Sequence, residues 1–155
     1  MPAEKLTQYL EREDVRYEVI EHARVYTAQE AAAAAHISGH VLAKAVLLIV
    51  DGEMAMAVLP ASYRVNLDAL KAGLGAGSIR MATEREFTDH FPDCEVGALP
   101  PFGNLYGMQV FADQRLSNVL EIVFCAGSHT ELLKITLSDF QKLAEPKMLR
   151  FSYQR

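Results

Sequence analysis

The sequence predicts a single domain, 1–155, of α+β or mixed α/β class, with at least five strands, some of them joined as hairpins. Three observations carry this expectation. Helix-forming segments alternate with short apolar runs of strand length. Two of those runs, 45–50 and 54–59, are linked by Asp51-Gly52, a strong two-residue hairpin signal. Thr27-x-x-Glu30 and Thr83-x-x-Glu86 are capping boxes, each opening a helix. The length allows a real core.

Taken in order, a first helix is predicted near 3–12, with Leu6, Tyr9 and Leu10 on one face. A short strand follows at 17–20. The alanine run 31–35 continues the helix that Thr27 caps, and Gly39 is expected to end it. After the 45–59 hairpin, a short helix starts at Asn66 and stops at Gly73 to Gly75. The Thr83 helix should end near Phe91-Pro92. Residues 97–103, Gly-Ala-Leu-Pro-Pro-Phe-Gly, can be neither helix nor central strand. Strands are expected at 106–112, 120–125 and 132–135, and Ser138 with Gln141 should cap a last helix.

Composition narrows the function classes. The formal net charge is −5, which argues against tight, sequence-independent binding of nucleic acid, DNA included. Brief contact with one end of an RNA stays open. Basic residues such as Arg12, Arg64, Arg80 and Lys134 are scattered. The amino-terminal Met1-Pro2-Ala3-Glu4-Lys5 has no basic segment leading into an apolar one, so no signal peptide is expected. Apolar runs fall far short of the roughly 18 residues of a membrane helix. Cys94 and Cys125 stand in no metal or redox spacing and read as free thiols of a reducing cytoplasm.

Three segments could carry chemistry. Lys44 lies inside the otherwise apolar run 41–50. Strand alternation places it on one face with Leu42, Val46 and Leu48, while Ala43, Ala45, Leu47 and Ile49 take the other. An unpaired buried ammonium is costly, so Lys44 either snorkels from a strand end or faces a cleft. The second segment is the rigid loop Gly97, Ala98, Leu99, Pro100, Pro101, Phe102, Gly103, whose exposed carbonyls and amides could hold a ligand amine. A plain turn fits it as well. The third is Gly127-Ser128-His129, directly after an apolar strand, where ligand contacts often lie. Ser128 and His129 are adjacent, so their side chains should diverge rather than form a nucleophile–base pair. His36 and His40 lack the glutamate of the zinc-protease pattern, and no phosphate-binding glycine motif occurs in the right context.

The order and spacing of these segments resemble the YbaK/ProX family of aminoacyl-tRNA deacylases. The fold also occurs as the editing insertion of bacterial prolyl-tRNA synthetases. The likeness runs from the first helix through Phe140. It implies a mixed sheet surrounded by helices, with one surface pocket, and hydrolysis of the ester joining a wrongly attached amino acid to the 3′ end of a tRNA. It implies that Lys44 is the key active-site residue, that the loop matching Gly97 to Pro101 contacts the substrate amine through its backbone, and that Gly127 and His129 lie near the same pocket. Leu99 and Phe102 are expected to close that pocket to all but small side chains. No metal or other cofactor is expected. A synthetase partner could supply affinity for tRNA. Ala45 departs from the polar residue that several subgroups carry after the lysine, which bears on the choice of amino acid. The competing reading keeps the fold as a non-catalytic module that binds a tRNA end, a synthetase or a small ligand.

Overall fold

The computed structural model describes residues 3–25, 27–95 and 97–154; Met1, Pro2, Tyr26, Val96 and Arg155 lie outside them, and with them the start of the amino-terminal stretch read above. Five α-helices occur among the described residues: α1 (Glu4–Arg12), α2 (Ala28–Ala34), α3 (Leu67–Leu74), α4 (Glu84–Phe87) and α5 (Leu137–Ala144). The strands are β1 (Glu18–Glu21), β2 (Leu42–Val50), β3 (Glu53–Pro60), β4 (Arg64–Val65), β5 (Ile79–Met81), β6 (Gln109–Asp113), β7 (Glu121–Cys125), β8 (Glu131–Thr136), β9 (Lys147–Leu149) and β10 (Ser152–Tyr153). One mixed sheet runs β1-β8-β7-β2-β3-β6-β9, with β5 added to β2 and a separate β10-β4 pair.

The hairpin forms as the sequence predicts. Asp51 and Gly52 both take positive φ, and β2 pairs antiparallel with β3 from Ala43↔Pro60 to Val50↔Glu53. Asn66 caps α3 by accepting the Ala69 N–H, and Gly75 ends it at φ 64. The Thr83–Glu86 capping box is complete. Several local expectations are corrected. The helix begun at Thr27 stops at Ala34, and the left-handed residue after it is His36, not Gly39. The last helix is capped by Thr136, which accepts the Asp139 N–H, not by Ser138. Tyr106 closes a 3-10 turn (Gly103–Tyr106), and its strand starts only at Gln109.

The two sheet faces are covered differently, and this positions the site. On one face Ala43, Leu47, Met56, Val58, Phe124 and Leu133 pack with Leu6 and Leu10 of α1 and Phe140 and Leu143 of α5 into the principal core. Fully burying a leucine such as Leu6 or Leu10 contributes about 1.5–3 kcal/mol. The other face carries two separate clusters. Ala31 and Ala32 of α2 cover Leu42, Val123, Cys125 and Leu132. Leu70 of α3 packs with Leu48, Ala55, Ala57 and Leu59, together with Phe111 and Phe151.

Candidate active site

Lys44 falls on the seam between those two clusters. Its face neighbours on β2 are Leu42, which belongs to the α2 cluster, and Val46 and Leu48, which belong to the α3 cluster. The side chain is half-buried. Among the described residues no hydrogen bond or carboxylate holds the ammonium. Burial, and secondarily the nearby positive charge of Arg64, hold Lys44 below the usual lysine pKa. An unpaired, partly desolvated cation at a break in the apolar cover is a ready site for negative charge.

The break extends to the backbone. Along one edge, β2 pairs in parallel with β7 only at Leu42↔Val123 and Ala43↔Phe124, and with β5 only from Leu48 to Val50. The odd-numbered residues point their backbone groups at this edge: Val41 accepts from Val123 N–H and Leu47 from Ala82 N–H. Ala45 therefore directs its N–H and C=O into the split, where neither strand meets it. Open α/β sheets bind ligands at such divergences, beyond the carboxyl ends of parallel strands.

The other two segments converge on the same divergence. After Cys125 the chain leaves β2, and Gly127 pairs with the proline–glycine loop instead. The Glu95 N–H donates to the Gly127 carbonyl at 2.7 Å, and the Gly127 N–H donates to the Ala98 carbonyl at 2.8 Å. Gly127 has φ 98, and a Cβ there would stand 2.9 Å from Ala3 Cβ, so the close approach requires glycine. Ala98 joins the α2 cluster and Leu99 the principal core, so the loop crosses from one sheet face to the other beside the split. Pro100 and Pro101 are buried.

The remaining candidates separate. Ser128 is buried with its hydroxyl 3.3 Å from Thr130 Oγ1, and not on a histidine. His129 is 7% exposed, and its Nε2 lies 3.8 Å from Glu95 Oε2, the oxygen that Arg24 binds at 2.7 Å. Phe102 does not close a pocket as expected. It is fully enclosed in the principal core, ring against ring with Tyr9, Phe124 and Phe140, on the face away from Lys44. Leu99 is likewise buried. Burial pushes the Cys94 thiol up to about 12 and Cys125 to about 11, so neither is a thiolate at neutral pH. Among the described residues no group of three or more His, Cys, Asp or Glu is placed to hold a metal ion. None of their helices is long and apolar enough to cross a membrane.

The position of Arg64 beside Lys44 is not singled out by the sequence pattern, yet a signal for it exists. A two-residue hairpin turn fixes the register that sets Leu59 opposite Lys44. The chain then needs only a short turn to bring Arg64 back beside it.

Comparison with known proteins identifies the family and the fold. The profile of the aminoacyl-tRNA editing domain matches residues 22–143. The chain is 27% identical over 156 residues to the multifunctional Ser/Thr-tRNA deacylase ProXp-y of Escherichia coli strain K12, covering 96% of this chain and 91% of that one. It is 34% identical over 77 residues to a proline–tRNA ligase of Halalkalibacterium halodurans, covering 50% of this chain and 13% of that one. Among solved structures, the hypothetical protein APE2540 superposes with a TM-score of 0.86 at 19% identity, covering 97% of this chain and 100% of that one. A candidate trans-editing enzyme for prolyl tRNA synthetase superposes with a TM-score of 0.83 at 19% identity, covering 97% and 96%.

Proposed function

Because the chain belongs to the aminoacyl-tRNA editing domain family, we propose that it is a trans-editing deacylase that clears small, wrongly attached amino acids from tRNA at the β2–β7 divergence. The observation that carries the site is the backbone pairing of Gly127 with the loop at Glu95 and Ala98, beside the strand that bears Lys44.

The chemistry asked of the protein is modest, because an aminoacyl ester is already activated. Water attacks the ester carbonyl carbon, negative charge develops on its oxygen, and the carbon–oxygen bond to the ribose breaks, the ribose oxygen taking up a proton. The Lys44 ammonium, fixed at the seam, stabilises that developing charge or the adjoining phosphate–ribose group. The Ala45 N–H is directed into the same split and supplies a second donor without reorganisation. Loop carbonyls between Gly97 and Pro101 accept hydrogen bonds from the substrate amine. The substrate's own ribose hydroxyl positions the water. The likeness to a Ser/Thr-tRNA deacylase supports small polar amino acids as the substrates to try first. The partial likeness to a proline–tRNA ligase supports a synthetase as the partner that presents tRNA.

The test is amino-acid release from a panel of mischarged tRNAs by wild type and Lys44→Ala. Wild type should clear at least one small amino acid, and the variant should lose at least 100-fold of that rate. Binding of tRNA without release across the whole panel, or a fully active Lys44→Ala, would overturn the reading and leave a binding module.

A further inference from the structure

A second built feature lies next to Lys44, where β3 ends. The chain turns from Pro60 through Tyr63 into Arg64, and the 3-10 segment Gln114–Asn118 carries Arg115 across that turn. The Arg115 guanidinium sits 4.9 Å from the centre of the Tyr63 ring, and His40 meets the same ring edge-on at 5.6 Å. They border a cavity of about 380 Å³ lined by His40, Pro60, Tyr63, Arg115, Asn118 and Val119. Arg115 Nε is buried and has no hydrogen-bond partner.

The Arg115 guanidinium at the cavity wall points to an anion. A buried donor left unmade is costly, and a guanidinium held over an aromatic face has already lost the freedom that binding would take from it. Its planar fork suits two oxygens of one phosphate. Arg64, next to Tyr63, is exposed and stands within electrostatic reach of Lys44. Lys44 and Arg64 stand close together, and Arg115 lies against Tyr63, the residue before Arg64, on a chain of net charge −5. The cavity lies at the same end of the β2–β3 pair as Lys44: Pro60 on its wall pairs with Ala43, and Leu59 pairs with Lys44.

We propose that the His40–Tyr63–Arg115 cavity is a subsite for the unpaired 3′ strand of tRNA, taking a phosphodiester upstream of the nucleotide that carries the ester. The Arg115 fork grips the phosphate, Arg64 neutralises the backbone between this cavity and Lys44, and the Tyr63 and His40 rings give a base an aromatic surface to stack on. The assignment rests on Lys44 marking the ester site. It explains how an acidic protein holds an RNA end: a few local cations suffice where no broad basic face exists.

The test uses the intact protein and an uncharged, CCA-ended RNA minihelix, read by fluorescence anisotropy at several salt concentrations. Arg115→Gln and Arg64→Gln should each weaken binding at least fivefold, and each should lower the salt slope by roughly one contact. In deacylation assays Arg115→Gln should raise KM for mischarged tRNA. Its loss on tRNA should exceed its loss on aminoacyl-adenosine, which has no upstream phosphate, by at least fivefold. Arg64→Gln alters an exposed side chain and guards against an Arg115 variant that merely folds badly. Binding within twofold of wild type for both variants, or equal losses on the two substrates, would overturn the subsite. RNA binding that depends on both arginines in a protein releasing no amino acid would sustain the subsite and refute the deacylase reading alone.

Discussion

Replacing Asp113 with alanine should cost the protein about 3–6 kcal/mol of stability and loosen its RNA site at the same time. Asp113 is fully buried at the end of β6. Its Oδ1 accepts the Arg115 N–H at 2.8 Å, and its Oδ2 accepts the N–H groups of Phe151 at 2.8 Å and Ser152 at 2.7 Å. Hydrogen bonds to a charged group contribute about 1.5–3 kcal/mol each, and a stranded buried donor costs about as much. The bonds to Phe151 and Ser152 are buried, while the one to Arg115 is only partly so, and two full bonds give the figure stated. Against a total of roughly 5–15 kcal/mol this is a large fraction. At this chain length it lowers Tm by roughly 6–24 °C. Asp113→Asn keeps one acceptor and turns the other atom into a donor facing an N–H, so its loss should be intermediate. Urea unfolding followed by far-UV circular dichroism gives the energies. Because Ser152 pairs with Val65 and Tyr153 with Arg64, minihelix affinity should also fall well below what the unfolded fraction explains. A loss under about 1 kcal/mol in both variants, or unchanged affinity in a destabilised Asp113→Ala, would refute the idea that this carboxylate joins the two arginine-bearing segments.

Further outcomes can be checked directly. Lys44→Met should abolish deacylation and raise Tm at neutral pH. A lysine whose folded pKa lies below its unfolded value destabilises the fold while charged, and that penalty fades as pH rises across the window between the two. On aminoacyl-adenosine the wild-type rate should fall on the alkaline side below the pH at which an ordinary lysine titrates. Arg64→Gln, which removes the secondary cause of the shift, should move that limb upward. Gly127→Ala should lower Tm by roughly 2–12 °C, since strained backbone costs about 1–3 kcal/mol and the new Cβ would meet Ala3. Cys94→Ser should keep deacylase activity, and iodoacetamide should modify Cys94 slowly at pH 8, because the thiol stays protonated there.

Elements defined by local chemistry were legible from residues alone. The Asp51-Gly52 turn, the Asn66 and Gly75 ends of α3 and the Thr83–Glu86 box all formed where short-range rules place them. Elements that exist only through pairing were not. β4 and β10 are two residues each and persist because each has the other and because Asp113 anchors the strand after Phe151. Within the candidate site, alternation placed Lys44 on its face, but the boundary between the two clusters that flank it depends on where α2 and α3 land. Phe102 misled for the same reason. Its flanking prolines and glycines suggest an exposed loop, while its ring is claimed by the aromatic cluster of Tyr9, Phe124 and Phe140.

Ala45 decides how selective such a site can be. Lys44 and Ala45 are successive strand residues, so their side chains leave the sheet on opposite faces. The ammonium stands at the seam, whereas the Ala45 methyl joins the principal core that also holds Leu99. At the split itself Ala45 therefore offers only its backbone, with no hydroxyl or amide side chain to read a substrate. A site that hydrogen-bonds a side-chain hydroxyl can reject its analogue by about 10⁴–10⁵, but an apolar wall separates neighbours by one methylene only about 10–200-fold. The release panel should accordingly show several small amino acids cleared at rates within about two orders of magnitude of one another, and no single one cleared alone. Ala45→Thr puts its hydroxyl into the principal core rather than into the split, so it should leave Lys44, the backbone donor and that ranking unchanged while lowering stability. A sharply single-substrate wild type would place selection in the loop at Gly97 to Pro101, and a ranking changed by the threonine would mean that the substrate side chain reaches the Ala45 face of β2.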